Sequence, residues 1–588
     1  MAAMTQRILI TSALPYINGI KHLGNLTGSM LPADVYARYQ RQRGREVLFI
    51  CATDEHGTPA ELAALEEGLP IEEYCTKWWA IQKDLGERFG LSWEYWGRSS
   101  SKQNRELTQQ FAKVLWEKGF LDIRSTRQVY SHADKRFLPD RYVIGTCPHC
   151  GYDRARGDQC ENCTRVLDPA DLINPRSAVS DSNDIELRDS KHLFLKQSLF
   201  SDELRAWLGT RTEFSPLVTA IALKWLDEGL QDRGITRDLK WGVPVNAHEW
   251  GPNPQGEKPD VEGLKDKVFY VWFDAPIEYI GATREWADSI GKPNEWERWW
   301  RGSAVKDVKY VEFMGKDNVP FHTVGFPVTL LGANKGEAND KQWKLVDVIK
   351  GTNWLNYYGG KFSTSQKRGV FMDSALEILP PDNWRWYLVS NSPESADTSF
   401  TWQHFATVNK DLTDILGNFA NRTLSFSASK FGPTVPEGGT PGPRETKLAE
   451  ELERRFGLYS TYMEEIQYRK ATAELRAIWV LGNEYLAEGA PWTVIREDKA
   501  QAALVIRTAV NLIRLFAILS APIIPFTSEA LMRALRLDPK AIAWPKGRIA
   551  DELNVIPAGA TVEGKFAFTK ILPEQVAAWE SRFGGAAS

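Results

Sequence analysis

The sequence predicts an α/β protein with a doubly wound parallel sheet, an insertion that splits the sheet, and an α-helical bundle after it. Three observations predict this. Short β-branched and aromatic runs alternate with helix-length segments, which is typical of a parallel sheet. Four cysteines fall within seventeen residues in a long gap between two of these runs. After about Ser392, helical periodicity replaces the strand-like runs.

The predicted strands are five short apolar runs. They are Ile8 to Ile10, Val47 to Cys51, Val268 to Phe273, Val308 to Phe313 and Leu345 to Ile349. More than two hundred residues separate the second run from the third, so part of that interval must be an inserted domain. We place the centre of the insertion between Gly119 and Trp225.

The C-terminal part is predicted to be helical because apolar residues recur there with helical spacing. The segments are Phe405 to Phe426, Thr446 to Tyr468, Ala471 to Glu488 and Asp498 to Leu519. A linker rich in Pro and Gly at 432–443 joins two of them. From Asn554 onward, a short strand-like piece and a helix at 573–583 complete the chain.

Composition indicates a soluble globular protein of several domains. The chain has 588 residues, 43% of them apolar and 25% charged, which is too long for one core. We find no apolar run long enough for a bilayer and no apolar signal core before the first strand, so we expect a cytoplasmic protein without a membrane partner. The overall charge of the chain gives no sign of RNA binding, since a net charge of −4 does not indicate a nucleic-acid binder. Any RNA contact would therefore depend on local basic clusters such as Arg38, Arg41, Arg43 and Arg45.

The first motif that carries chemistry is the tetrapeptide His22-Leu23-Gly24-Asn25. It lies between the first predicted strand and a helical stretch from about Leu26 to Arg43, where free backbone N–H groups and a positive helix end favour phosphate. His22 and Asn25 supply donors, and Gly24 leaves room for a flat base. By itself the tetrapeptide is also compatible with an ordinary polar helix start.

The second motif is the loop Lys361-Phe362-Ser363-Thr364-Ser365. Two glycines precede it and act as a hinge, and the loop offers one cation and three hydroxyls that can close over phosphates. Alone it is compatible with an ordinary surface loop. Gly315-Lys316-Asp317, at another predicted strand end, is compatible with a simple turn or with a site in which Asp317 binds ribose hydroxyls and Lys316 faces phosphates.

Four cysteines with the spacing C-x2-C-x9-C-x2-C indicate a structural zinc site. The residues are Cys147, Cys150, Cys160 and Cys163. Four thiolates complete a tetrahedron and leave no position for water, so we expect one structural Zn²⁺ per chain. The alternatives are four free thiols or a redox pair, and His149 could compete as a ligand. Cys51 and Cys75 are predicted to be buried thiols.

The two phosphate motifs resemble the signatures of class I aminoacyl-tRNA synthetases. The segment from Thr11 to Gly19 that leads into His22 is similar to methionyl-tRNA synthetases in particular, and the resemblance runs from about residue 7 to about residue 545. It implies a Rossmann-type sheet, a zinc-containing connective insertion and an anticodon-binding helical domain. The implied divisions are 1–118 and 226–330 for the catalytic halves, 119–225 for the insertion, 331–395 for the lid loop and stem contacts, 396–550 for the anticodon-binding domain and 551–588 for a terminal strand and helix that pack back on the body.

The resemblance also implies the site residues. The implied catalytic residues are His22, Gly24, Asn25 and Lys361. The implied ATP-binding residues are these four together with Gly315, Lys316, Asp317, Ser363, Thr364 and Ser365. The implied methionine pocket consists of Ala13, Leu14, Tyr16, Asp54, Trp272, Ala275, Pro276, Tyr279 and His322. Asp54 would neutralise the substrate ammonium, and the aromatic residues suit a thioether. Trp272 and Tyr279 are otherwise ordinary core aromatics.

The implied anticodon readers are Asn418, Arg422 and Trp492. Asn418 and Arg422 are four residues apart, so they share one helix face beside an apolar stripe, and both can point into a groove between helices. An aromatic platform with an amide and a guanidinium suits unstacked bases. Without the resemblance, packing for Trp492 and a solvated role for Asn418 are the better interpretation.

One departure from the family pattern concerns the lid. Residue 364 is threonine where a second lysine is commoner, so one cation is missing. We hypothesise that Lys361 carries the phosphate load with help from Lys367 or Arg368. Asn25 also replaces the commoner histidine, and Asn318 replaces an aliphatic residue of the pocket wall.

The expected function is ligation of L-methionine to tRNA(Met), initiator and elongator, with ATP and Mg²⁺. We expect a monomer, because the chain ends too soon for a C-terminal dimerisation module. Two alternatives remain. One is a synthetase for leucine, isoleucine, valine or cysteine, although the insertion is too small for a separate editing domain, which argues against the three branched aliphatic substrates. The other is an RNA-binding paralogue that has lost activity through Thr364.

Overall fold

The computed structural model describes residues 7–157, 160, 162–163, 165, 167–363 and 368–584. The predicted ATP-binding residues Thr364 and Ser365, and the auxiliary Lys367, lie outside the described residues.

A central sheet of five parallel strands positions the site. Its order is Val348–Thr352, Val308–Gly315, Arg7–Ser12, Glu46–Thr53 and Tyr95–Arg98. Arg7 lies opposite both Val308 and Glu46 in register. The chain order therefore reverses beside the first strand, and ligands of such sheets bind at the carboxyl ends of the strands at this point.

Helices cover the sheet. In the first half they are Leu23–Asn25, the π turn Leu26–Met30, Leu31–Gln42, Thr58–Glu67, Ile71–Arg88 and Lys102–Glu117. In the second half they are Val271–Ser289, Glu297–Trp300, Ala304–Asp307, the π turn Phe321–Gly325, Phe326–Asn334 and the 3₁₀ turn Asn339–Lys341. The first three elements of the first half form one continuous helical segment, so the predicted helix that starts near Leu26 begins at Leu23 instead.

The parallel sheet is confirmed, but two of its strands differ from the prediction. The run at 268–273 contributes only the two-residue strand Val268–Phe269, which pairs antiparallel outside the central sheet, and the chain then enters the helix Val271–Ser289. The fifth strand of the sheet is Tyr95–Arg98, which we did not predict. The strand predicted at Leu345 starts three residues later, at Val348.

The insertion consists of antiparallel strands and two helices. Its longest pair, Leu121–Ser131 with Ile185–Leu195, is in register over all eleven residues. The other strands are Arg136–Phe137, Val143–Thr146, Ala155–Arg156, Ile173–Ser177, Arg233–Gly234 and Thr236–Arg237. The helices are Ser201–Gly209 and Pro216–Asp227, and 3₁₀ turns lie at Asp140–Tyr142, Pro169–Asp171, Gln197–Phe200 and Ala247–Glu249. Antiparallel pairing continues to Phe269, and the domain boundaries given above stay a prediction.

A small sheet carries the second motif. Its strands are Leu355–Tyr357, Gly360–Lys361 and Thr398–Phe400, so one short strand persists beyond Ser392. The helices Met372–Ile378 and Pro381–Ser390 lie between the last two strands. The motif therefore begins on an edge strand of this sheet.

The C-terminal part is helical, as predicted. Its elements are Trp402–Lys410, the π turn Asp411–Gly417, Asn418–Phe431, Pro443–Glu464, Tyr468–Gly489, Pro491–Val494, Lys499–Ser520, Pro525–Ala534, Ile549–Glu552 and Pro573–Phe583. The strand-like piece predicted after Asn554 is not a strand in the described residues, where Thr561 makes only an isolated bridge to Thr434. The helix Lys499–Ser520 is apolar and long enough to cross a membrane, contrary to our sequence analysis. Because 89% of its most apolar window is buried, it is the core helix of this domain.

A buried ion pair joins the helix Pro381–Ser390 to the helix Leu31–Gln42 that packs on the central sheet. The Arg385 guanidinium lies 2.6 Å from the Asp34 carboxylate, and both side chains are fully buried. Arg385 also donates to the carbonyls of Ile523 and Phe89. One apolar core runs continuously from the strand residue Ile8 to Phe516 of the helical domain.

Candidate active site

His22 begins the helix that follows the first strand. Its Nδ1 accepts a hydrogen bond from the Asn25 backbone N–H at 3.2 Å, and Asn25 Oδ1 accepts from the His22 N–H at the same distance. Burial lowers the pKa of His22 to about 3, with Lys21 acting in the same direction. The imidazole is therefore neutral near pH 7, and because Nδ1 accepts, its proton lies on Nε2. His22 thus presents one N–H donor to the cleft.

The second motif lies directly against the first. The Phe362 ring stacks on the His22 imidazole, with centroids 5.0 Å apart and an interplanar angle of 24°. Ser363 and Arg368 exchange backbone hydrogen bonds of 3.1 and 2.9 Å, which hold these two residues side by side. Arg368 donates to the Tyr357 carbonyl at 2.9 Å, so this side chain anchors the loop rather than facing the cleft as we hypothesised.

Two predicted cations meet at an unpredicted aromatic residue. The Lys361 and Lys316 ammonium nitrogens lie 4.4 and 4.3 Å from the centroid of the Trp354 ring. Lys316 also forms an ion pair of 2.8 Å with Asp397. The Gly315-Lys316-Asp317 turn and the lid motif are therefore parts of one site, with Asp317 exposed beside it.

Asp54 lies at the end of the second strand, beside Tyr16. Its side chain is buried, and its Oδ1 atom has no hydrogen-bond partner in the described part of the chain. Burial raises the pKa of Asp54 well above its usual range, with Asp274 adding to the shift and Lys21 opposing it. A buried acceptor without a partner is costly, so this oxygen is suited to a cationic ligand.

The predicted thioether pocket forms an aromatic wall. Trp272 makes an edge contact with Tyr16 at 6.5 Å between ring centroids and lies 3.6 Å from the Phe321 ring. Ala13 directly follows the first strand, and its N–H donates to the Phe313 carbonyl at 2.8 Å. Leu14 and Ala275 are half-buried at this wall, and Pro276 is a proline inside the helix Val271–Ser289.

A hydrogen-bonded pair closes the back of the pocket. The Tyr279 hydroxyl lies 2.8 Å from His322 Nε2, and His322 Nδ1 lies 2.9 Å from the Asn318 carbonyl oxygen. A carbonyl only accepts, so Nδ1 carries the proton and Nε2 accepts from Tyr279. Burial lowers the pKa of His322 to about 4, with the Asn318 carbonyl opposing the shift. His322 lies in the π turn Phe321–Gly325, a distortion frequent at functional sites.

The four predicted zinc ligands converge. Their sulfur atoms all lie within 4.8 Å of one another, with Cys147–Cys163 at 3.9 Å and Cys150–Cys160 at 3.6 Å. Zinc–sulfur bonds of about 2.3 Å in a tetrahedron require sulfur separations of roughly 3.8 Å, so the set fits zinc. The backbone N–H groups of His149 and Cys163 donate to Cys147 and Cys160 sulfurs. His149 Nδ1 lies 3.1 Å from Arg165, away from the set. Cys51 and Cys75 are buried free thiols, as predicted.

Comparison with known proteins decides the family. Residues 8–424 match the family model described as "tRNA synthetases class I (M)", and residues 435–588 match "Anticodon binding domain of methionyl tRNA ligase". The chain belongs to the class I methionyl-tRNA synthetase family. Proteins called methionine–tRNA ligase in Streptomyces avermitilis and Caulobacter sp. (strain K31) are 58% and 56% identical to it over 586 and 583 residues, respectively. The matches cover 99% of this chain and 99% and 100% of those proteins.

A solved structure supports the same fold. "Mycobacterium tuberculosis methionyl-tRNA synthetase in complex with methionyl-adenylate" aligns with a TM-score of 0.73 over 96% of this chain and 99% of that chain. At 21% identity, this likeness bears on the fold alone.

The predicted anticodon readers of this methionyl-tRNA synthetase family member lie at the surface of the helical domain. The Arg422 guanidinium lies 4.7 Å from the Trp492 ring centroid, and the Trp492 side chain is 40% exposed. Asn418 is exposed one turn earlier on the same helix and donates to the Asp414 carbonyl at 3.1 Å. The arginine and the indole therefore form a single exposed platform.

The basic cluster suggested for RNA contact is occupied within the protein. Arg38 pairs with Asp34, Arg41 with Glu94, and Arg45 with Glu464, at 2.7 to 2.9 Å. Arg43 donates to the Tyr39 hydroxyl. These residues stabilise the helix Leu31–Gln42 and its neighbours, and their contact with RNA stays a prediction.

Sequence reasoning missed three residues at the site. Phe321 directly precedes the predicted pocket residue His322, and this proximity in sequence was the available signal. Trp354 lies seven residues before Lys361, and no local pattern marked it. The third is Lys21, a buried lysine beside His22, which donates to the Asn18 carbonyl and side-chain oxygen. Burial lowers the pKa of Lys21 to about 7, with Asp54 opposing the shift.

Proposed function

We propose that the chain is a methionine–tRNA ligase that activates L-methionine with ATP and transfers it to the 3′-terminal adenosine of tRNA(Met). The observation that carries this proposal is the stack of Phe362 on His22. It supports the proposal because the two phosphate motifs, distant in the chain, are in direct contact, and Asp54 follows the strand that pairs with the first strand. Family membership supports the same conclusion.

Methionine binds with its ammonium at Asp54 and its thioether at the aromatic wall. The ammonium supplies the partner that Asp54 Oδ1 lacks, and the ion pair favours the ionised carboxylate. The sulfur contacts the rings of Tyr16 and Trp272, each contact contributing roughly 0.3–1.5 kcal/mol. Tyr279 and His322 are occupied with each other and present a defined surface at the back of the pocket.

ATP binds between the two motifs as its Mg²⁺ complex. His22 donates from Nε2, and Asn25 donates from its amide NH₂ group, since its Oδ1 is used by the helix cap. Gly24 lets the His22 ring pack against the backbone, because a Cβ atom there would lie 3.0 Å from that ring, and we assign the base to the same backbone. Lys361, Lys316 and Ser363 approach from the lid side, and Asp317 is placed for the ribose. Thr364 and Ser365 complete the predicted set.

Activation and transfer need positioning and charge stabilisation rather than a protein nucleophile. A methionine carboxylate oxygen attacks the α-phosphorus, the bond to the bridging oxygen breaks, and pyrophosphate leaves. His22, Asn25 and Lys361 stabilise the charge that develops on the phosphate oxygens. A hydroxyl of the terminal adenosine then attacks the methionyl carbonyl, loses its proton, and AMP departs.

Besides its substrates, the protein binds a structural metal ion and the tRNA anticodon. One Zn²⁺ is held by Cys147, Cys150, Cys160 and Cys163, where it stabilises the insertion. Trp492, Arg422 and Asn418 read unstacked anticodon bases of initiator and elongator tRNA. The enzyme is a cytoplasmic monomer, for which size-exclusion chromatography with light scattering is the test.

ATP–pyrophosphate exchange with a panel of amino acids tests the function. We expect strong dependence on L-methionine, and charging of tRNA(Met) when tRNA is added. Exchange driven by leucine, isoleucine, valine or cysteine would indicate a related synthetase. Binding of tRNA without any exchange would indicate an inactive RNA-binding paralogue.

A further inference from the structure

Trp354 lies at the junction of two motifs that carry the cations of the site. It precedes the strand Leu355–Tyr357, whose partner strand ends at Lys361. Lys316 belongs to the central sheet, where it follows the strand Val308–Gly315, and its backbone N–H donates to the Thr352 carbonyl at 2.8 Å. The half-buried Trp354 ring is the contact that the two lysines share.

This contact needs an explanation because like charges repel. Both nitrogens lie within 4.4 Å of one ring centroid, so they are at most about 9 Å apart, comparable with the Debye length of roughly 8–10 Å. Asp397 neutralises Lys316 and also accepts a hydrogen bond from the Trp354 backbone N–H at 3.0 Å. Lys361 has no carboxylate within ion-pair distance in the part of the chain that the structure describes. The π face of Trp354 lies 4.4 Å from the Lys361 nitrogen and attracts its charge, while the carboxylates of Asp317 and Asp397 act on it from beyond ion-pair distance.

We propose that Trp354 is a positioning residue that holds the Lys361 and Lys316 ammonium groups at the phosphate side of the cleft. The inference rests on the proposed function, since it assigns both cations to the ATP phosphates. A lysine side chain has many rotamers in solution, and fixing two of them before ATP binds reduces the ordering cost of binding. Trp354 itself need not touch the nucleotide.

The arrangement also accounts for the threonine at position 364. The lid motif has one lysine rather than two, which leaves a cation missing from the loop itself. Lys316 supplies a second ammonium from the central sheet, and Trp354 places it beside Lys361. The two cations of the phosphate site thus come from different parts of the chain.

The test measures the dissociation constants for ATP–Mg²⁺ and for methionine by equilibrium dialysis, which requires no turnover. We expect Trp354→Leu to weaken ATP binding about threefold to thirtyfold, because it removes the π face, and to leave methionine binding unchanged. Trp354→Phe keeps a π face and should restore most of the ATP affinity. Tyr462→Leu is the matched control, because Lys470 lies 5.3 Å from that ring and both residues belong to the C-terminal helices.

A double-mutant cycle separates positioning from packing. If Trp354 acts through Lys361, Trp354→Leu should have a much smaller effect on ATP affinity in a Lys361→Ala background. The proposal would be overturned if Trp354→Leu had the same effect on ATP affinity in both backgrounds, or no effect at all. It would also be overturned if the Leu and Phe variants lost equal ATP affinity, or if Trp354→Leu weakened ATP and methionine binding to the same extent.

Failure of the proposed function would be seen separately. It would appear as wild-type protein without methionine-dependent pyrophosphate exchange. The dialysis series compares ATP affinities and does not depend on which amino acid is activated.

Discussion

The imidazole of His22 and the ring of Phe362 stack 5.0 Å apart at the centre of the candidate active site. The first residue caps a helix after the opening strand, and the second belongs to a hairpin at the edge of a different sheet. Their contact fixes the lid motif over Gly24, where a Cβ atom would lie 3.4 Å from Phe362.

Removal of this stack should slow activation. We expect Phe362→Leu to lower the rate of methionine-dependent pyrophosphate exchange about twofold to tenfold, since such aromatic pairs contribute roughly 0.5–1.5 kcal/mol. Phe362→Tyr, which keeps the ring, is the matched variant and should stay close to wild type. Equal rates for Leu and wild type would show that the contact has no part in activation.

Asp54 should determine methionine binding. Asp54→Asn removes the carboxylate that faces the ammonium, and truncation of one partner of a buried charge pair costs about 2–5 kcal/mol. We therefore expect the KM for methionine to rise about thirtyfold or more, with the KM for ATP nearly unchanged. Glu66→Gln, an exposed residue on the helix Thr58–Glu67, makes the same charge change and should alter neither constant. A normal KM for methionine in Asp54→Asn would place the ammonium elsewhere.

The cysteine cluster should hold one zinc ion per chain. We expect metal analysis of purified protein to give about one equivalent, and Cys147→Ser to lose most of it, because a structural site needs all four thiolates. Cys51→Ser changes a buried thiol outside the cluster and should keep the metal. Protein that is folded and free of zinc would contradict the assignment.

Trp492 should affect tRNA but not amino-acid activation. A stacked base contributes roughly 1–3 kcal/mol, so Trp492→Ala should raise the KM for tRNA about tenfold or more in aminoacylation. Arg422→Ala, which removes the cation beside the ring, should act in the same direction. Pyrophosphate exchange should stay at the wild-type rate in both variants, with Arg533→Ala as an exposed arginine control in the same domain. Unchanged tRNA kinetics would assign this platform another role.

His322 should make the protein less stable in mild acid. Its pKa is lowered from 6.5 to about 4 in the folded protein, so between these values the unfolded state binds more protons. The free energy of unfolding contributed by this residue is therefore present above about pH 6.5 and is lost as the pH falls toward 4. His322→Gln, which does not titrate, should reduce the loss by on the order of 1–3 kcal/mol. The measurement is denaturant unfolding at pH 7 and pH 4.5, and an identical pH dependence in the variant would refute the assignment.

The sequence identified the parallel sheet and the helical domain but misassigned one strand. The apolar run at 268–273 satisfies the composition of a buried strand, yet most of it starts the helix Val271–Ser289. That helix has buried residues on most of its surface, and a short apolar run cannot distinguish the two cases. The strand Tyr95–Arg98 was missed because four residues with a glycine have little strand character. Gly97 is required there by packing, since a Cβ atom would lie 2.6 Å from Ala282.

Site residues that lie in one short sequence motif were predictable, whereas contacts between residues far apart in the chain were not. His22, Gly24 and Lys361 lie in short motifs whose residue types indicate phosphate binding. The cation–ring contacts of Trp354 depend on the pairing of two sheets, which no local pattern specifies. The involvement of Arg38, Arg41 and Arg45 in ion pairs was equally hidden, because their partners come from other segments.

The buried pair of Arg385 and Asp34 has a consequence for how a long RNA is accommodated. Separating the helix Pro381–Ser390 from the helix Leu31–Gln42 would leave two desolvated charges without partners, at a cost of several kcal/mol. The same arginine donates to the Ile523 carbonyl, so it also ties the C-terminal helices to this junction. Hinge motion at this junction is therefore strongly disfavoured. On the proposed function, a tRNA that reaches from the Trp492 surface to the cleft would meet two contact surfaces whose separation is set before it binds.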